Sequence, residues 1–129
     1  MKKTIALLLV VAVLSAVVIA SFAGCNLFKS ISLDEVQANL KEAGYEVTVL
    51  SGEQFVEQKG EEYPFIFAQE LNNYLYAVKG EEKIEVFFFT SIDNASNNHD
   101  TMHSDLPKSG QSNEVVYFAT KQAKEDAKI

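Results

Sequence analysis

The chain predicts an α+β domain, a small antiparallel or mixed sheet packed with helices. Two segments, residues 33–43 and 92–106, repeat apolar side chains at helical spacing. Four short stretches, residues 45–50, 72–79, 83–90 and 114–119, are rich in β-branched and aromatic residues. Two of these, 83–90 and 114–119, are apolar on both faces, which is the pattern of a central strand.

Taken in order, Ser32-Leu33-Asp34-Glu35 reads as a capping box, with Ser32 as N-cap and Glu35 three residues on. Leu33, Val36, Leu40 and Ala43 then share one helix face, and Gly44 suits the stop. Residues 45–50 follow as a strand. Ser51-Gly52-Glu53-Gln54 is a second capping-box pattern, opening a short helix that carries Phe55 and Val56. The polar run Lys59-Gly60-Glu61-Glu62 reads as a loop. Residues 63–67 are apolar, but Pro64 bars them from a central strand, leaving an extended edge or a packed loop.

Residues 72–79 and 83–90 read as strands joined by Gly80-Glu81-Glu82, a link short enough for a hairpin. Alternation places Ile84, Val86 and Phe88 on one face and Glu85, Phe87 and Phe89 on the other. Thr90 or Ser91 can cap a helix from Ile92 to about Asp105, with Pro107 beyond its end. Ser109-Gly110-Gln111-Ser112-Asn113 reads as a turn or loop, and 114–119 as the next strand. Thr120 can cap a last helix carrying Ala123 and Ala127. From residue 45 to 119 the element order resembles the βαββαβ of ferredoxin-like folds, with an extra helix at each end. Element order carries no functional implication.

Near the N-terminus, Lys2 and Lys3 precede an apolar run, residues 5–20, broken only by Ser15. Phe22-Ala23-Gly24-Cys25 then ends in the only cysteine of the chain. This string resembles the lipobox of bacterial lipoproteins. Ala23 and Gly24 match the family's small positions, whereas Phe22 stands where leucine is usual. The resemblance covers residues 1–25 alone. It implies cleavage between Gly24 and Cys25 and a diacylglyceryl group, with palmitate, on the Cys25 thiol. Two acyl chains hold stably because each buried CH₂ contributes about 0.8 kcal/mol. The alternative is an uncleaved membrane helix, since the run approaches the ~20 residues that span a bilayer.

The expected organisation is therefore a signal peptide at 1–24, a lipidated tether at 25–31 and one domain at 32–129. Both readings of the apolar run place that domain on the extracytoplasmic face, because the lysines stay inside. From Cys25 to Ile31 an extended tether spans at most ~20 Å. If the cell has two membranes, Asn26 lacks the aspartate associated with inner-membrane retention, which leans outward.

Loss of Lys2 and Lys3 leaves 9 lysines against 18 carboxylates, a formal charge of −9. Arginine is absent, so bidentate clamps for phosphate or carboxylate are too. A domain this acidic is a poor match for nucleic acid, and anionic lipid should repel it. With a single cysteine there is no internal disulfide, and stability must come from packing.

Two groups of residues invite chemistry. His99-Asp100-Thr101-Met102-His103 places both histidines at i and i+4 of the expected helix, a spacing that can chelate a metal. The string resembles the zinc-metalloprotease motif H-E-x-x-H, with Asp100 one methylene shorter than the glutamate. A third ligand is needed, and Glu125 is one candidate. The competing reading puts His99 on an apolar stripe with Ile92, Ala95, Met102 and Leu106, as a packed histidine. His103 then benefits from the helix C-terminus.

Tyr74 and Tyr76 share a strand face, as do Phe87 and Phe89; together they could form an aromatic binding face or supply core. No phosphate loop, calcium loop or placed nucleophile is present. The sequence thus leads to a non-catalytic binding or interaction module of the cell envelope, with an envelope protein or small ligand as partner. A metal-binding or metal-dependent lipoprotein using His99 and His103 is the alternative. No cofactor is expected beyond the covalent lipid.

Overall fold

The computed structural model describes residues 31–129. The elements follow in the order α1 (Leu33–Glu42), β1 (Glu46–Ser51), α2 (Gly52–Lys59), a 3₁₀ turn (Ala68–Glu70), β2 (Leu71–Lys79), β3 (Glu82–Phe89), α3 (Ile92–Thr101), β4 (Lys108–Ser112), β5 (Val115–Ala119) and α4 (Lys121–Ala127). The five strands form one sheet in the order β1-β2-β3-β5-β4, and every neighbouring pair is antiparallel. The α+β class expected from the sequence is the class observed.

The βαββαβ order is not. Residues 109–112, expected in a loop, belong to β4, so the pattern gains a fifth strand. No parallel pair exists in the sheet, and β1 lies at its edge beside β2. β4 reads Lys-Ser-Gly-Gln-Ser and has little strand propensity of its own. It is made by its partner: five residues pair with β5 across a two-residue turn, where Asn113 adopts φ 53°. Tyr117 lies directly over Gly110, with its hydroxyl 2.6 Å from where a β-carbon would sit.

β2 and β3 form the expected hairpin. Lys79 pairs with Glu82 across Gly80-Glu81, and Gly80 takes φ +60°, a conformation glycine adopts without steric cost. Alternation along β3 sends Ile84, Val86 and Phe88 into one core and Phe87 and Phe89 into another. The first core is closed by Val36 and Leu40 of α1 and by Ala123 and Ala127 of α4. The second is closed by Phe55 of α2, by Ala95 of α3 and by Tyr63 and Ile66 of the segment that follows α2. Residues 60–67 are therefore a packed loop rather than an edge strand.

The two capping boxes differ. Ser51 forms the full box: its hydroxyl accepts from the Gln54 N–H at 3.2 Å, and the Gln54 side chain accepts from the Ser51 N–H at 2.9 Å. Ser32 occupies the N-cap of α1 with extended backbone but makes no side-chain cap bond, so the expected box there does not close. Gly52 follows Ser51 at a point where chains touch. A β-carbon there would stand 2.1 Å from the Leu71 carbonyl and 2.5 Å from that of Ala68. The start of α2 thus presses on the 3₁₀ turn that leads into β2.

The expected helix over 92–105 stops early. α3 ends at Thr101, and Met102 turns extended with its side chain buried in the second core. Its buried face is Ala95, Asn98 and Met102 rather than the stripe through Ile92 and His99; Ile92 is exposed. Asn98 tolerates burial because its amide donates to the Glu70 carboxylate at 2.9 Å and to the Asn94 carbonyl at 2.8 Å.

Candidate functional site

A cluster of polar and aromatic side chains lies on the α2–α3 side of the sheet. The β2–β3 register sets Tyr76 opposite Glu85 and Tyr74 opposite Phe87, so two phenols, a carboxylate and a phenyl ring share one face. The packed loop brings Tyr63 onto the same patch. The Tyr74 hydroxyl donates to Glu85 Oε1 at 2.7 Å, and the Tyr63 hydroxyl donates to Glu85 Oε2 at 3.4 Å. Each carboxylate oxygen thus takes one phenol.

Rings pack tightly around this fork. Phe55 stands 4.9 Å from Tyr74, Phe87 stands 5.0 Å from Tyr74 and 5.5 Å from Tyr63, and most contacts are tilted or edge-to-face. From the end of α2, Lys59 holds its ammonium 5.6 Å from the Tyr74 ring centre and 5.7 Å from that of Tyr76. It also pairs loosely with Glu62, at 3.8 Å.

Burial comes first in setting the electrostatics. It raises the Tyr74 phenol well above the ordinary tyrosine range, and the charge and hydrogen bond of Glu85 push the same way. Tyr63 is raised for the same reasons, with Glu62 adding to the effect. Both phenols stay protonated near neutrality and are held as donors. A phenol so placed is a poor nucleophile and a poor base, so the arrangement suits clasping better than turnover.

The aromatic face expected at Tyr74 and Tyr76 is therefore corrected. Tyr74, Phe87 and Phe89 are fully buried, and Tyr76 is partly buried against the same core. These rings are core under α2 and the packed loop, leaving no exposed aromatic platform there. Glu85, which the sequence reading did not single out, is the residue around which the face is organised. Its signal was a lone charge in the run Ile84-Glu85-Val86-Phe87-Phe88-Phe89.

The histidine pair is also corrected. His99 lies on α3, with its ring edge-on to Phe118 at 6.2 Å. His103 lies beyond the end of the helix, so the i, i+4 helical face that would have aligned the two does not exist. Glu125 belongs to α4, whose buried residues pack in the first core, across the sheet from α3. Among the described residues no three or more His, Cys, Asp or Glu side chains gather where they could hold a metal ion.

Cys25, Gly24 and the apolar run before them lie outside the described residues. Among the described residues no helix is long and apolar enough to cross a membrane. No protein-family model matches the chain, and no curated protein or solved structure is significantly similar to it.

Proposed function

We propose that the chain is a lipid-anchored extracytoplasmic protein whose single domain is a non-catalytic binding or interaction module of the cell envelope. The observation that carries the anchor is Ala23-Gly24-Cys25 behind an apolar run, with Cys25 the only thiol in the sequence. Support for a binding rather than a catalytic role comes from the way the domain spends its chemistry. The Tyr63, Tyr74 and Glu85 groups are engaged with one another and sunk among rings. Its partner is an envelope protein or a small ligand; the excess of carboxylates over lysines disfavours nucleic acid.

Metabolic labelling with a clickable palmitate analogue tests the anchor. The full chain should take up label, and Cys25→Ala should lose it. Label retained by Cys25→Ala, or none in the parent chain, removes the anchor from the proposal.

A further inference from the structure

Among the described residues the exposed large apolar side chains are Phe67, 56% accessible, and Ile92, 54% accessible. They lie at the same end of the sheet. That end is where β1, β3 and β4 finish and where β2 and β5 begin, as the pairing register requires. Phe67 precedes the 3₁₀ turn and Ile92 opens α3. Their segments are clasped together: the Thr90 N–H donates to the Glu70 carbonyl at 2.9 Å, and the Asn98 amide donates to the Glu70 carboxylate. The Phe89 N–H donates to the Glu114 carbonyl, which ties the β4–β5 turn to the same end.

The charges of this end have one sign. Segments 51–54, 67–71, 90–94 and 112–114 contain Glu53, Glu70, Asp93 and Glu114 and no lysine. At the opposite end stand Lys79, Lys83 and Lys108, at the end of β2 and the starts of β3 and β4. Lys41, in the last turn of α1, and Lys121, opening α4, join them. An end of the sheet that exposes Phe67 and Ile92 and carries carboxylates without lysine repels an anionic bilayer and also repels its own copy in a second molecule. It complements a cationic surface that carries apolar anchors.

We propose that this end of the domain docks a basic, amphipathic protein segment, with Phe67 and Ile92 meeting its apolar side chains and Glu53 and Asp93 its lysines or arginines. The proposal deepens the binding-module reading and rests on it, but it does not depend on the anchor.

The test is fluorescence anisotropy with the full chain in zwitterionic nanodiscs. The probe is a labelled amphipathic lysine–leucine peptide, and the control is the same pattern with glutamate for lysine, each corrected for empty discs. Phe67→Ser with Ile92→Ser should weaken lysine-peptide binding roughly tenfold. Separately, Glu53→Gln with Asp93→Asn should weaken it severalfold and flatten its salt dependence. All four side chains are exposed or at helix starts, and circular dichroism of each variant checks that the fold is kept.

Unchanged affinity in both folded double variants overturns the proposal, and so does preference for the glutamate peptide. Self-association that the Phe67/Ile92 variant abolishes also overturns it, by giving the surface to a second copy. Palmitate labelling is read on the same preparation. An unlabelled chain that still binds through these residues removes the anchor and keeps the surface; a labelled chain that does not bind removes the surface and keeps the anchor.

Discussion

The two faces of the sheet solve the same burial problem with different materials. The face under α1 and α4 is closed mainly by aliphatic and small residues, among them Leu40, Leu75, Ile84, Val86, Ala123 and Ala127, with Phe88 and Tyr45 beside them. The face under α2 and α3 is closed by rings, Phe55, Tyr63, Tyr74, Phe87, Phe89 and Phe118. Alanines on α4 let a helix of seven residues lie close to the strands. The rings instead lie beneath an irregular loop, and their phenols need an acceptor. The first face keeps its polar tie at the rim, where the Tyr45 hydroxyl donates to Asp126 Oδ2 at 2.7 Å. The second draws a carboxylate, Glu85, into contact with its core. Aromatic packing thus brings a polar obligation that aliphatic packing does not, and the domain's chemistry collects where the rings are.

Adjacent positions of β3 give the most disruptive test. Phe87 is fully buried and touches Phe55, Tyr63, Tyr74, Phe89 and Phe118. Truncation by Phe87→Ala should cost about 3–5 kcal/mol. On the opposite face Ile84→Ala should cost about 2–5 kcal/mol. Urea unfolding at neutral pH measures both. A larger loss from Ile84→Ala would mean that the aliphatic layer, not the aromatic one, carries the fold.

Removal of the acceptor comes next. Glu85→Ala leaves the Tyr74 hydroxyl buried without its carboxylate, at a cost of about 1–3 kcal/mol. Combining it with Tyr74→Phe removes the orphaned group, so the double variant should be less destabilised than the two single losses added. Strict additivity, seen in the same unfolding experiment, would show that the fork contributes nothing beyond its separate parts.

Alkali should probe the buried phenols of both faces. Tyr74 and Tyr63 have raised pKa values in the folded state. The stability they confer is complete below the ordinary tyrosine pKa of about 10 and is lost as pH rises beyond it, because only the unfolded chain releases those protons. Tyr74 alone should remove about 1.4 kcal/mol per pH unit above that point. In Tyr74→Phe the alkaline limb becomes shallower, which denaturation midpoints at successive pH values read directly. Tyr45, on the other face, is raised by burial and by Asp126, so an alkaline limb persists in that variant.

Periodicity alone carried much of this architecture. The two-residue alternation of β3 assigned each of its apolar side chains to the right core, since a strand turns alternate residues to opposite faces whatever its neighbours. Where a neighbour decides, the sequence is mute. Nothing in Lys-Ser-Gly-Gln-Ser favours a strand, and β4 exists because β5 offers it a ladder. The run from Ile92 to Leu106 kept a helical rhythm that the chain abandons at Met102, whose side chain turns into the core. That early stop separated His99 from His103. Glu85 was visible as a lone charge in an apolar strand, but its partners come from a loop and a hairpin register that spacing does not reveal.

The smallest effect concerns the two helix starts, one beneath each face. Both read as serine capping boxes, yet only Ser51 closes its box, with hydrogen bonds in both directions. Ser51→Ala should cost about 1 kcal/mol. The Ser32 side chain makes no cap bond to its helix, so Ser32→Ala should cost only a few tenths of a kcal/mol. Ser51 is held on both sides. Ser51 ends β1, paired with Asn73, and is followed by Gly52 pressed against the carbonyls of Ala68 and Leu71, so its backbone is fixed before the helix begins. Equal losses at the two positions, measured by thermal unfolding, would mean that the Ser51 box contributes nothing beyond an ordinary helix start.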